Sequence, residues 1–218
     1  MITVTCFLWG HAYRPAHVNA LAALVREHYR RPHRFVVVTN DRGPFAPGVA
    51  VVADDEDFAR TPSPAGAGMP SCYRRLRLWR ADAAETFGER IVCLDLDVLL
   101  VDDVAPLWDR EDDVVLYRDP LWPHQVNGSM LMLRAGARPD VWSAFDPMTS
   151  PALARASGFR GSDQAWLSYK LPHAARWSGA DGVYSYRRDC AQGIPADARV
   201  IVFHGRSKPW DVDVQQAA

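Results

Sequence analysis

Two aspartates one residue apart, Asp95-Leu96-Asp97, follow the apolar run Ile91-Val92-Cys93-Leu94. A β-strand points side chains i and i+2 to the same side. Carboxylates so spaced at the mouth of a buried strand converge on one hard cation, and a divalent ion held there can bridge the phosphates of a nucleotide. Burying such a pair is unfavourable unless a metal or hydrogen-bond donors compensate it. The plain alternative is two solvated acids at a strand end. What turns the reading toward chemistry is the company the pair keeps, above all Phe203-His204-Gly205-Arg206-Ser207-Lys208-Pro209-Trp210.

His204 ends the strand pattern Val200-Ile201-Val202-Phe203. An imidazole with two carboxylates suits manganese or a similar divalent ion and leaves positions open for phosphate oxygens. Gly205 lets the backbone approach a ligand closely, and Lys208 offers a compact charge for a phosphate. Pro209 stiffens the turn, and Trp210 is expected to anchor the tail in the core. A structural histidine and an exposed lysine on a plain turn are the alternative.

Tyr73-Arg74-Arg75-Leu76-Arg77-Leu78-Trp79-Arg80 interleaves cations with apolar residues at helical spacing. Leu76, Trp79 and Ala83 are expected to face the core and Arg75 the rim, with most of the arginines on a solvated face. Asn127-Gly128-Ser129 and Gly161-Ser162-Asp163-Gln164 set amides and a carboxylate in turns beside apolar segments. Asp163 and Gln164 either cap the helix that follows or hydrogen-bond sugar hydroxyls, with Asp163 near the reacting carbon.

The elements that must position these residues alternate. Ile2–Trp9 reads as a strand, and Ala16–Tyr29 as a helix with Val18, Leu21, Leu24 and Val25 on one face. Phe35–Thr39 is an apolar strand closed by the turn residues Asn40-Asp41-Arg42-Gly43-Pro44. Val49–Ala53 is a third strand, Arg60–Pro70 a mobile loop, and Cys72–Thr86 a helix that ends at Phe87-Gly88. Further strands are expected at Val114–Tyr117, Ser129–Leu133 and Val200–Phe203, with short helices near Val141–Phe145 and Asp163–Tyr169. This alternation predicts an α/β fold, a mostly parallel sheet with helices on its faces. Ligands of such sheets sit beyond the carboxyl ends of the strands, so Trp9-Gly10, Asn40-Asp41 and Asp95–Asp97 should share one rim.

Bulk properties exclude more than they assign. The length of 218 residues suits a single domain with one core. A net charge of -1 carries no basic footprint for nucleic acid, so an anionic ligand must be met by local cations. Cys6, Cys72, Cys93 and Cys190 form no C-x-x-C pair, which fits a reducing, cytoplasmic setting. The first eight residues read as a strand and not as a signal peptide. No stretch approaches the ~18 apolar residues of a membrane span. Ala- and Arg-rich composition points to a bacterium with a GC-rich genome.

Taken in order, these pieces resemble the glycogenin and lipopolysaccharide galactosyltransferase group of GT-A-fold glycosyltransferases. The likeness runs through the opening strand with Ala12-Tyr13, the Arg75-Leu76 helix with Trp79, and Cys93-Leu94-Asp95-Leu96-Asp97-Val98-Leu99-Leu100. It continues through Asp103–Glu111, Asn127-Gly128-Ser129, Ser162-Asp163-Gln164 and Gly205-x-x-Lys208-Pro209-Trp210. The resemblance implies a GT-A-type, Rossmann-like sheet with a mixed C-terminal part. It also implies retaining transfer from a nucleotide-sugar donor, usually a UDP-sugar, with manganese or magnesium. Asp95 and Asp97, with its DxD motif, would bind the metal, with His204 a further ligand. Gly205 and Lys208 would hold the diphosphate, and Phe7, Trp9 and Tyr13 match the segment that receives the uridine. Asn127, Asp163 and Gln164 would position the donor sugar, Asp163 stabilising an oxocarbenium-like centre. The acceptor would be a glycan, a lipid-linked sugar or a protein, with peripheral membrane contact and surface polysaccharide assembly among the family's habits.

Arg75 stands where the family usually has a lysine that contacts the donor. Three departures stand out. His204 adjoins Gly205 where the family places histidine three residues before the glycine. Asn127-Gly128-Ser129 replaces Asn-Ser-Gly or Asn-Ala-Gly, and the Tyr13 neighbourhood matches loosely, which leaves the base open. Two rivals remain: a nucleotidyltransferase, whose glycine-rich loop is missing after the first strand, and a catalytically inactive nucleotide-sugar- or glycan-binding module.

Overall fold

The structure, a computed structural model, describes residues 1–64, 66 and 71–211. Part of the loop expected at 60–70 therefore lies outside the described residues.

The first strand, β1 (Ile2–Leu8), is buried along its whole length. It lies between β2 (His33–Thr39) and β4 (Arg90–Leu94), parallel to both, and β3 (Val49–Val52) continues the parallel set beyond β2. Next come β6 (Val114–Arg118), β7 (Val126–Arg134) and β8 (Ala175–Trp177), giving a sheet of order β3-β2-β1-β4-β7-β6-β8. Only β7 runs against the rest, pairing antiparallel with β4 and β6, while β8 is parallel to β6. This is the mostly parallel, Rossmann-like α/β sheet that the alternation predicts.

Period-2 alternation divides the core. Ile2, Val4, Cys6 and Leu8 pack with Val18, Leu21 and Val25 of α1 (Pro15–His28) on one face. Phe7, Ile91, Cys93 and Leu131 pack with Leu76, Trp79, Phe87 and Trp166 on the other. Each such side chain contributes roughly 1.5–3 kcal/mol when fully buried. Helices thus cover both faces, and the first turn of α1 starts at Pro15, whose fixed φ suits that position.

A second, three-stranded sheet holds β5 (Val98–Leu100), β9 (Val183–Ser185) and β10 (Val200–Val202) in the order β5-β10-β9. Because β10 runs antiparallel to β5 with Val202 opposite Val98, the chain leaves β10 beside Asp97. That register delivers the C-terminal turn to the two aspartates.

The helix expected over Cys72–Thr86 is instead two pieces. A 3₁₀ helix covers Tyr73–Trp79, and α2 (Ala83–Phe87) follows after an extended Arg80, ending at Gly88 with φ 78°. Its arginines are not a solvated face: Arg75 and Arg77 are 5% and 6% exposed. The tighter helix, with three residues per turn, brings Arg75 and Leu78 onto one line. The short strands β5, β8 and β9 and the short helices at Ala105–Trp108 and Ser150–Ala156 were not legible in the pattern.

Candidate active site

The strands β1, β2, β4 and β6 end on one rim. A cavity of about 230 Å³ opens there, lined by Trp9, Gly10, Asn40, Asp41, Asp54, Glu56 and Arg74 among others. Trp9 and Asn40–Asp41 share the rim as expected. Asp54 and Glu56 were not anticipated, because nothing in their spacing marks them, while Arg74 belongs to the arginine-rich segment expected to lie mostly on a solvated face. Arg74 ion-pairs with Asp54 and lies 5.9 Å from the Trp9 ring centroid, while Asn40 Nδ2 donates to the Asp54 carbonyl at 3.1 Å. Phe7, matched to uridine binding, is 7% exposed and packs edge-on against Trp9 at 5.8 Å. It touches Trp9 but does not itself line the cavity.

Asp95 and Asp97 stand at the centre of the rim. The Asp95 amide extends the ladder by donating to the Ser129 carbonyl at 2.9 Å. Nη1 of Arg75 reaches Oδ1 of Asp95 at 2.5 Å and the Gly128 carbonyl at 2.8 Å. The same guanidinium grips Asp163 twice, Nε to Oδ2 at 2.8 Å and Nη2 to Oδ1 at 3.1 Å. Arg75 thus ties together three segments the sequence singled out separately. Burial works against its charge, but Asp163 and Asp95 outweigh burial and raise its pKa further. Asp163 is 1% exposed, so its carboxylate is committed to Arg75.

The other aspartate is held from two distant parts of the chain. Tyr13 donates to Oδ2 of Asp97 at 2.9 Å, and Lys208 Nζ lies 2.5 Å from the same oxygen. Lys208 also approaches the Tyr13 hydroxyl at 3.2 Å. Burial and the Asp97 charge push the Tyr13 phenol upward, so it stays a donor. Gly205 adopts φ 91°, and no atom lies within 4 Å of where its Cβ would be. Trp210 does not anchor the tail in the core. It is 48% exposed and rests on the surface of α1, 4.3 Å from the His17 ring and 5.9 Å from Tyr13.

Asn127 accepts from the Ser129 amide at 2.9 Å, and Gln164 donates to the Arg160 carbonyl at 3.2 Å. Both are half-buried on the rim beside Asp163. His204 shares a 2.6 Å hydrogen bond between Nε2 and the Ser185 hydroxyl, a partner without any sequence signal.

The donor set tests whether a divalent ion fits. Arg75 and Lys208 set two positive charges against the three carboxylates of Asp95, Asp97 and Asp163, leaving these five groups with one uncompensated negative charge. Burial, opposed by Arg75 and reinforced by Asp97, raises the Asp95 carboxyl from 3.8 to about 6. The pair therefore fits a divalent ion, which would turn the balance positive before a diphosphate arrives. His204 does not complete the set in this arrangement. Among the described residues no three His, Cys, Asp or Glu groups gather closely enough to hold a metal. Burial also lowers the His204 pKa, keeping the ring neutral.

No disulfide joins the cysteines, and all four are free thiols. No helix among the described residues is long and apolar enough to cross a membrane.

Neither a protein-family model nor a curated protein matches the chain. Solved structures do. A crystal structure of an active-site mutant of LgtC aligns over 96% of this chain and 89% of its own, with TM-score 0.61 and 16% identity. A crystal structure of galactosyltransferase LgtC with donor and acceptor sugar analogs aligns over 99% and 91%, with TM-score 0.58 and 16% identity. At that identity the likeness establishes the architecture: the chain has the GT-A-type fold of these structures.

Proposed function

We propose that the chain is a glycosyltransferase that moves a sugar from a nucleotide donor, a UDP-sugar, to an acceptor hydroxyl with retention. One observation carries the reading: Lys208, 111 residues along the chain from Asp97, lies 2.5 Å from it. A cation able to hold a phosphate and a paired-carboxylate motif thus meet on one rim of a GT-A-type fold.

The nucleotide base enters the cavity beside Trp9, and the diphosphate crosses toward Asp97. Asp95 and Asp97 would hold a divalent ion such as manganese, which would supply positive charge to offset that of the leaving diphosphate. Lys208 then turns from Asp97 to a phosphate oxygen, where its charge stabilises the departing group. Gly205 leaves the backbone clear for that approach. Asn127 and Gln164 orient the sugar, and Asp163, fixed through Arg75, presents negative charge near the anomeric carbon. The bond from that carbon to the phosphate oxygen breaks as the acceptor oxygen adds from the same side. The acceptor proton passes to the leaving phosphate, since among the described residues no side chain is placed as a general base.

A binding module without turnover is a second reading, favoured by the commitment of both Asp163 oxygens to Arg75. Thermal-shift screening of UDP, GDP and their sugars with and without manganese tests donor binding. Mass spectrometry of donor hydrolysis then separates enzyme from module. Asp97→Ala should abolish the manganese-dependent nucleotide shift with the fold intact, and an unchanged shift would refute the donor site.

A further inference from the structure

We infer that the β6–β8 end of the rim is an acceptor subsite built for an anionic saccharide, one that bears a phosphate or a carboxylate. The inference rests on the glycosyltransferase reading for the word acceptor, but the binding surface stands on its own geometry.

Strand direction places it. β6 and β8 point the same way as β4, so Arg118 and the loop 119–125 emerge on the rim that carries Asp95. The loop returns directly into Asn127.

The surface is built and not left to a floppy loop. Asp119, 3% exposed, accepts from the amides of Leu121 and Trp122 at 2.8 and 3.0 Å and fixes the turn. Gln125 is fully buried at 0% exposure. Its amide accepts from the Arg160 amide at 2.9 Å and donates to the Arg160 carbonyl at 3.4 Å, clamping the segment that leads to Asp163. Above this clamp, the Arg160 guanidinium lies 4.9 Å from the Trp122 ring centroid, and His124 stacks on Phe159 at 6.1 Å. Trp122 and Phe159 remain half-buried, giving an aromatic wall of the kind that packs on sugar rings.

Charge decides the ligand class. Arg176 lies opposite Leu116 in register, two residues before Arg118, and its Nη1 donates to the Pro123 carbonyl at 3.0 Å. Burial first, and then the Arg118 charge, lower the Arg176 pKa. Among the described residues no ion pair reaches Arg118, Arg160 or Arg176. The nearest acid in sequence, Asp119, is turned inward onto backbone amides. The Arg118 charge bears on Arg176, whose two terminal nitrogens also donate to the Pro123 and Pro172 carbonyls at 3.0 and 3.5 Å and hold it in place. Two cations so placed without a carboxylate partner suit a phosphate or carboxylate, which the exposed Arg118 can grip with two parallel hydrogen bonds.

Ligand-observed NMR titration on the full chain tests this with glucose 6-phosphate, glucuronic acid and glucose as probes. The two charged sugars should bind at least tenfold more tightly than glucose, and the tighter of them names the anionic group. Arg118→Gln with Arg176→Gln should lower charged-sugar affinity at least tenfold while UDP affinity, read separately, stays constant. Arg118→Gln alone, at an exposed position, should show a smaller loss in the same direction. Equal binding of glucose, or undiminished affinity in the variants, overturns the inference. So does inorganic phosphate binding as tightly as glucose 6-phosphate, or binding confined to phosphatidylglycerol vesicles. If charged sugars bind and UDP does not, the subsite stands and the donor reading fails.

Discussion

Arg75 and a side chain at position 128 exclude one another. A Cβ on Gly128 would lie 2.5 Å from Nη2 of Arg75 and 3.3 Å from its Cζ, inside the space the guanidinium fills. Two departures from the glycosyltransferase pattern, arginine for lysine and glycine for serine or alanine, are therefore one steric solution. The broader cation needs a residue with no side chain beside it. Gly128→Ala should push Arg75 off Asp95 and Asp163, destabilise the fold by ~1–3 kcal/mol as overpacking does, and reduce donor turnover. Adding Arg75→Lys, whose slim ammonium clears a methyl group, should restore part of both losses. Chemical denaturation and donor hydrolysis of the two variants read this. A double variant no better than Gly128→Ala would sever the link.

Lys208 pairs with Asp97 at 2.5 Å, so on the proposed function a diphosphate and a divalent ion would compete for the two halves of that pair. Lys208→Ala should weaken UDP binding by ~1–3 kcal/mol, the scale of a charged hydrogen bond, or about 5–150-fold. The same change should strengthen manganese binding in the absence of nucleotide, because Asp97 loses its occupant. Calorimetry of each ligand separately gives the two signs. Both affinities falling together would mean that Lys208 supports the site structurally.

Asp163 is the buried end of a pair that has no solvent to replace it. Breaking a buried ion pair from one side costs ~3–5 kcal/mol, because the remaining charge stays unpaired. Asp163→Asn retains a hydrogen-bond acceptor for Arg75, which also keeps Asp95, so the loss should be smaller than for Asp163→Leu. Urea unfolding with an unchanged slope would give the two values. Equal stabilities for Asp163→Leu and the parent would show that Arg75 is satisfied without this partner.

Strand period and turn chemistry made the parallel sheet legible, because a two-residue alternation is written directly in β1 and in the run before Asp95. The meeting of Asp97 with Lys208 was anticipated through the motif order, although the register of β10 on β5 that achieves it leaves no local mark. The arginine-rich segment misled for a physical reason. Helical spacing cannot distinguish an α-helix from a 3₁₀ helix over seven residues, and the two send Arg75 in different directions. Buried arginine also contradicts the usual tendency of charge to face water. Its compensation comes from Asp95 and Asp163, 20 and 88 residues away, which no window of sequence can reveal. The Gln125 clamp and the Ser185 partner of His204 were hidden for the same reason.

The Asp95 carboxyl offers a pH test. Its pKa rises from 3.8 to about 6, with burial the largest cause, Arg75 opposing and Asp97 adding to the rise. A raised folded value means that the folded state holds the proton more tightly than the unfolded chain. The stability this contributes is fully present below about 3.8 and is lost as pH climbs through about 6. Asp95→Asn mimics the protonated form at every pH, with a constant offset for its altered contact with Arg75. Measured without divalent ions, the melting temperature of the variant should therefore gain on the parent between pH 4.5 and 7.5, mostly between pH 5 and 7. A difference that stays flat across that interval would show that Arg75 keeps Asp95 ionised at little cost and that burial does not raise its pKa.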